Sequence, residues 1–411
     1  MLHAKLERLP NGIRLVTIPD ENAESVTFAV SVASGSRYEK PRFAGVSHFI
    51  EHMLFKGTEK RTARDINRAV ECRGGSFNAF TGEETTMFFA KLPCEFLPVA
   101  VDVICDMYAN STFPEKEFER ERSVVLQELK MYADDPGTVA AENLSLCLFP
   151  GNALGKPIGG NAKALTALKA DDLRAYWKRA YVPSATVVAV TGKFDPGDVS
   201  ALLSETLGKM KSGRPIKCEK YNLKTPVQKS ICAEREVQQT QVAMGWRLPF
   251  GIGDKRRFTL SVLNAVLGSG MSSRLFETVR EKRGLSYDIR SASQLFVDAG
   301  GLCVSGGTEP SRADEMVDVI LREVEKLKTK KVGPAELRRV KDYVNGNFRL
   351  AFETPLTRIM YYSGCVFLKD KVVNPELTLK RIEEVTSDDI IELANTCLVP
   401  KRMAVSRVVP K

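Results

Sequence analysis

The stretch PEKEFERERSVVLQELKM, residues 114–131, reads as a long helix opened by a proline and stopped near Asp134-Asp135-Pro136. A second proline-led helix begins at Pro334 in the other half of the chain and runs through Arg338 to Phe348. The segments around the two helices also match in order. Before the first come a strand at Arg14 to Ile18 after the turn Pro10-Asn11-Gly12, and another on which Val26, Phe28, Val30 and Val32 alternate with smaller or polar residues, the period of a half-buried strand. A helical stretch over Val46 to Phe55, a turn at Gly74-Gly75 and a strand over Thr85 to Leu92 follow. Leu97, Val101, Ile104, Cys105 and Tyr108 then mark one helix face. A strand over Thr186 to Thr191 closes this half. The second half repeats the series: a strand at Thr240 to Trp246, a helix at Thr259 to Leu267, and a strand at Gly301 to Ser305. After these, Met316, Val317, Ile320, Val324 and Leu327 share a helix face, and Met403 to Val409 is a closing strand. The matching prolines favour an internal duplication over chance recurrence. The pattern predicts an α+β chain of two homologous domains, each a mainly antiparallel sheet packed with helices. The expected bounds are 1–210 and 225–411, joined by a Lys/Pro/Gly-rich linker at 211–224. The offset between the two prolines carries His48 to Gly268, inside LGSGMSSRLF, so the second copy has no histidine where the first has one.

A chain of 411 residues with 43% hydrophobic and 27% charged residues has the balance of a globular protein with a large core. Its formal charge of +9 is a moderate excess without a concentrated basic block, so no nucleic-acid partner is expected. No stretch approaches the roughly 18–20 apolar residues of a membrane span. The opening MLHAKLERLPNGIRLV has neither the apolar core of a signal peptide nor the look of a transit peptide. Nine scattered cysteines without a C-x-x-C pair fit reduced thiols, and a cytoplasmic location is expected.

Histidine is scarce: His3, His48 and His52 are the whole set. Ser47-His48-Phe49-Ile50-Glu51-His52 contains H-x-x-E-H. Residues i and i+4 of a helix point the same way, with about 5–6 Å between Cβ atoms, so two imidazoles there can hold one metal ion. Glu51 borders the same face and can reach a water there without acting as a ligand. This is the zinc-protease helix with its motif reversed. Two helical histidines are often plain core or surface residues, but here they are two of only three, and a glutamate sits where hydrolysis needs it. Phe49, Ile50, Met53, Leu54 and Phe55 make the rest of the helix apolar, hence buried. A catalytic zinc takes three protein ligands and leaves a place open. The helix after Pro114 offers Glu121 and Glu128, seven apart on one face. Glu128 ranks first because Val124, Val125, Leu126 and Leu129 surround it with apolar residues, where a carboxylate needs a partner. Glu119 and Arg120 read as a solvated pair.

GVSHFIEHMLFKGT, GGSFNAFTGEETT, ERERSVVLQELKMYADDP and SSRLFETVREKRGLSY together resemble the pitrilysin/insulinase class of zinc metallopeptidases. The likeness is to its short bacterial branch, similar to the β-subunit of the mitochondrial processing peptidase, and it covers essentially the whole chain. In that family a ligand glutamate follows H-x-x-E-H at a characteristic spacing, and Glu128 falls at that spacing after His52. The resemblance implies one zinc per chain held by His48, His52 and Glu128, with Glu51 as general base and Glu121 supporting a ligand histidine. It implies that Asn78, Ala79 and Phe80 lie on an edge that accepts the substrate backbone as an added strand. Without it, they would read as a turn rich in small residues. Arg280 and Tyr287 match a family pair that contacts the substrate carbonyl and backbone. Without it, Arg280-Glu281-Lys282-Arg283 would read as a solvated helix end stopped by Gly284. The Gly-rich LGSGMSS lacks the ending of a phosphate loop. The implied activity is endopeptidase cleavage of unfolded peptides or flexible segments. The two domains would form half of a clam-shell chamber, and a homodimer would complete each site in trans. A structural or substrate-holding subunit of the same family is the rival reading. Such subunits typically lose the zinc residues, which are all present here. Another hydrolysis, by an amidase or deacylase, is a weaker rival.

Overall fold

A computed structural model describes residues 3–411. It contains two compact units, each built on one mixed sheet packed with helices, so the α+β expectation is met. The first sheet comprises β1 (Lys5–Arg8), β2 (Arg14–Pro19), β3 (Ser25–Val32), β4 (Ser76–Thr81), β5 (Thr86–Pro93) and β6 (Thr186–Gly192). Its order is β1-β2-β6-β3-β5-β4, antiparallel throughout except for the β2–β6 pair. The second comprises β7 (Ser230–Arg235), β8 (Thr240–Leu248), β9 (Ile289–Leu295), β10 (Gly300–Thr308) and β11 (Met403–Pro410). Its order is β7-β11-β8-β10-β9, again with a single parallel pair, β7–β11. The five strands match the last five of the first sheet in position and direction, as a duplication requires.

The first half carries α1 (Val46–Leu54), α2 (Ala63–Glu71), α3 (Leu97–Asn110), α4 (Glu115–Asp134) and α5 (Pro136–Leu148). Their counterparts include the helices Arg256–Leu267, Ala313–Thr329, Pro334–Phe352 and Pro355–Lys369. The molecule departs from the sequence reading at two points. The strands β3, β4 and β5 recur as β8, β9 and β10 at intervals slightly shorter than the one between the two prolines, because the intervening loops differ in length. The counterpart of α1 in element order is therefore the helix Arg256–Leu267, and Gly268 only caps its end. The conclusion about the missing histidine stands, since that helix reads RRFTLSVLNAVL.

The second departure concerns β3, which the alternation marks as half-buried. Every residue from Val26 to Val32 is buried. One side of the strand meets α3, and the other meets the helix Pro355–Lys369, which also lies on β6 and β2. Thr27, Ala29 and Ser31 are small enough to let that helix approach. Its counterpart, α5, packs in the same way on β8 and β11. The two helices are thus exchanged between the halves. Residues 130–156 belong to the second unit, and residues 350–374 to the first. The compact units differ from contiguous segments 1–210 and 225–411 by this exchange. β6, TVVAVTG, is a run of small and β-branched residues buried along its whole length, whereas β11, MAVSRVVP, alternates buried and part-buried positions. Among the described residues, no helix is long and apolar enough to cross a membrane.

Candidate metal centre

α1 has nine residues, too few to be stable alone. It is held by its apolar side: Val46, Phe49, Ile50, Met53 and Leu54 are fully buried. Phe49 stacks on Phe118 of α4, with ring centroids 4.9 Å apart and planes 12° from parallel. That contact fixes α4 beside α1. Phe118, Glu121 and Val125 form the buried side of α4, and Glu128 continues the same side one turn on. The expectation that apolar neighbours enclose Glu128 holds only in part. Val125 is buried, but Val124, one turn before Glu128, is 45% exposed. The carboxylate instead faces the two histidines.

Glu128 Oε2 lies 3.7 Å from His48 Nε2 and 3.5 Å from His52 Nε2. The three donor atoms all fall within 4.8 Å of one another. Ligands about 2.0–2.1 Å from one tetrahedral ion stand about 3.3 Å apart, so the set fits zinc with little closure. Two imidazoles and a carboxylate are also a donor set that zinc accepts. Among the described residues, no other group of three histidine, cysteine or acidic side chains converges in this way. Burial chiefly, and the neighbouring His52, hold the His48 imidazole below its ordinary pKa against the pull of Glu128. Its neutral form is the one that ligates a metal.

Glu121 stands behind His52. Its Oε2 lies 3.1 Å from His52 Nδ1, and its Oε1 takes an ion pair from Lys56 Nζ at 2.7 Å. Burial pushes the Glu121 carboxyl up, but the bonds from His52 and Lys56 outweigh it, and the net shift is downward. An ionised Glu121 accepts the Nδ1 proton of His52 and so leaves the Nε2 lone pair facing Glu128. We expect Glu121→Gln to weaken zinc binding by ~10- to 100-fold while leaving the ligand set intact, as read by chelator competition.

Glu51 borders this group but is not part of it. Its Oε2 accepts a hydrogen bond of 2.5 Å from Thr81 Oγ1, at the end of β4. Burial raises the Glu51 pKa above the ordinary carboxylate value, opposed by that hydrogen bond. Asn78, Ala79 and Phe80 lie on β4, an edge strand whose only partner among the described residues is β5. β4 reads SFNAFT and carries no charge, whereas the edge strands β1 and β7 do. Charged edges resist strand addition, and an uncharged one permits it. β9 occupies the matching position in the second sheet, but there Ser291 N–H already donates to Gly268 O at 3.0 Å. On β4 the outward Ala79 N–H donates to the Asn78 side chain at 2.8 Å rather than to another segment of the chain.

Arg280 and Tyr287 belong to the second unit, whereas the histidines, Glu51, Glu121 and Glu128 belong to the first. The Arg280 guanidinium lies over the Tyr287 ring, 4.3 Å from its centroid, and Tyr287 is 82% exposed. Arg280 sits on a π-helical turn, Phe276–Glu281, and Gly284, three residues beyond its end, takes a positive φ of 57°. Three residues near the centre escape the sequence reading: Lys56, Thr81 and Glu39. Lys56 carries a signal, since it follows His52 at the same helical period that separates His52 from His48. Thr81 and Glu39 carry none, because only the tertiary arrangement brings them to α1.

A fold of two duplicated α+β units with an inverted zinc-peptidase helix in the first defines a class of metallopeptidase. Residues 14–162 match the insulinase family, peptidase family M16, and residues 167–344 match the peptidase M16 inactive domain. A protein of Streptomyces coelicolor named as an uncharacterized zinc protease is 33% identical over 95% of this chain and 86% of its own length. The zinc protease YmxG of Bacillus subtilis, likewise called uncharacterized, is 34% identical over 84% of this chain and 83% of its own. A zinc protease of Mycobacterium tuberculosis, again called uncharacterized, is 35% identical over 95% and 90%. The crystal structure of a protease from Helicobacter pylori shares the fold with a TM-score of 0.94 at 21% identity, over the full length of both chains. The chain belongs to the insulinase family of peptidases, M16.

Proposed function

We propose that this chain is a zinc-dependent endopeptidase that cuts unfolded peptides or flexible protein segments. The observation that carries the proposal is the division of labour on α1 and α4. His48, His52 and Glu128 converge as a donor set, while Glu51 is held apart by Thr81 of an uncharged edge strand. One zinc per chain, bound by that set, would polarise the scissile carbonyl and acidify the attacking water. Glu51 takes the proton of that water and delivers it to the leaving amine. Its raised pKa suits both steps, because a base that is too weakly basic neither takes nor holds the proton. Thr81 orients the carboxylate toward the strand edge. Asn78, Ala79 and Phe80 receive the substrate as an added strand, which places a peptide carbonyl beside Glu51. Arg280 and Tyr287 hold the substrate backbone, and the Tyr287 hydroxyl donates to the developing oxyanion. The rival reading, a non-catalytic subunit, is disfavoured by the complete donor set.

The test is a mass-spectrometric cleavage profile on mixed peptides. Hydrolysis should occur, stop with a zinc chelator and return with zinc. If a stably folded domain without loose ends is cut as fast as a short peptide, the enclosed chamber is wrong. All nine cysteines are free thiols, which accords with work in the reducing cytoplasm.

The proposal extends to a homodimer in which Arg280 and Tyr287 of one copy complete the site of the other. A two-fold dimer is the commonest soluble assembly. Two inactive variants, Glu51→Gln and Tyr287→Phe, should regain activity when mixed under conditions of subunit exchange. One site of each mixed dimer then has both intact halves. Proven exchange without recovery would place the pair in cis.

A further inference from the structure

We propose that Glu39 is a positioning residue for the metal centre, acting through the backbone of α1. The proposal rests on the reading of His48, His52 and Glu128 as zinc ligands. α1 starts abruptly. Its N-cap residue is Gly45, with a left-handed φ of 91° and no side chain to accept from the first turn. A serine or threonine there would be strained by that φ, and an added Cβ would stand 2.4 Å from Gly159 O. The free N–H groups of the first turn therefore need an acceptor from elsewhere. Glu39 supplies it with both oxygens. Its Oε2 accepts from Gly45 N at 2.7 Å, and its Oε1 accepts from Ser47 N at 2.8 Å. His48 is the next residue. The two bonds thus end immediately before a metal ligand, on a short helix that has little length of its own to hold that ligand still.

Glu39 is itself anchored. It closes the short turn Ser36–Tyr38, which is bolted to the tip of the β4–β5 hairpin. Ser36 N donates to Gly82 O at 3.2 Å, and Arg37 N donates to Glu83 O at 2.8 Å. The Arg37 guanidinium, almost wholly buried, pairs with Glu84 at 2.5 Å and donates to Glu219 O at 3.1 Å. Gly35 lets the two loops touch, since a Cβ there would lie 2.2 Å from Gly82 O. The hairpin that carries β4 is therefore tied to the first turn of α1 through Glu39, as well as to Glu51 through Thr81. One tie sets the ligand His48, and the other sets the base. The negative carboxylate also offsets the positive end of the helix, which would otherwise oppose a cation at His48.

The test uses the full chain with Glu39→Ala and Glu39→Gln. The glutamine retains one acceptor but turns an amide nitrogen toward an N–H donor, so it too breaks the bidentate cap. Zinc affinity is read by chelator competition, ligand geometry by the visible spectrum of the cobalt(II)-loaded protein, and fold by thermal unfolding of the metal-free protein. Both variants should bind zinc about 10- to 100-fold more weakly, with altered cobalt bands and cooperative metal-free unfolding. Unchanged zinc affinity and an unchanged cobalt spectrum in either variant would overturn the assignment. So would loss of cooperative unfolding in both, which would make Glu39 a residue of the fold at large. His48→Ala separates this inference from its premise. If His48→Ala also leaves zinc binding unchanged, the ligand reading has failed. If His48→Ala loses zinc and the Glu39 variants do not, only the role of Glu39 has failed.

Discussion

Glu51→Gln should keep its zinc and lose hydrolysis by about 10²- to 10⁴-fold, the usual cost of removing a general base. The geometry makes the two readouts separable. Glu51 is bonded to Thr81 and lies outside the set formed by His48, His52 and Glu128. The amide of glutamine is nearly the same shape as the carboxylate and can still accept from Thr81 Oγ1. It cannot take a proton from water at neutral pH. The binding of peptide along β4 should survive, because that uses backbone groups rather than Glu51. The loss should therefore appear in kcat with little change in KM. Zinc content measured on the purified variant decides the rest. A variant that loses its metal along with its activity would make Glu51 a ligand, and the assignment of Glu128 would then be in error.

The second large effect is on the metal itself. His48→Ala, His52→Ala and Glu128→Gln should each abolish stoichiometric zinc binding after dialysis against a mild chelator. Three protein ligands are the minimum of a catalytic site, and each variant leaves two. The carboxylate change is the most informative. Glu128 sits 3.5–3.7 Å from both imidazoles, so its loss removes the one negative ligand and the group that draws the two rings together. Equal zinc occupancy in all three variants, measured by elemental analysis, would refute the ligand set. Secondary structure should hold, since the buried residues Phe49, Phe118 and Val125 rather than the ligands pack α1 against α4.

The centre is legible in the sequence to the extent that it is local. His48, Glu51 and His52 lie within two turns of one helix, and the helical period alone aligns the two imidazoles. Glu128 is harder. Its apolar neighbours are a poor guide, since Val124, one turn before it, is 45% exposed. The spacing from Glu121 is the better signal, because it puts both carboxylates on the side of α4 that packs on Phe49. Glu39 and Thr81 cannot be read at all. Their contacts depend on where the β4–β5 hairpin folds against α1, and no periodicity encodes that. The same holds for the strands. Alternation finds β3 but misjudges its second face, because the helix that covers it, Pro355–Lys369, comes from the far half of the chain.

That exchanged helix sets a schedule for synthesis. Chains emerge at about 5–20 residues per second, and domains ordinarily fold as they emerge. The first unit cannot do so fully. Its strands are complete by Gly192, but the helix that seals β3 and β6 ends at Lys369. Everything between those two points must leave the ribosome first, a delay on the order of 10 s. Until then, the face of the first sheet that this helix covers stays uncovered. A ribosome stalled before Lys369 would therefore carry a nascent chain with His48, His52 and Glu128 present and no finished unit to hold them, a target for holding chaperones.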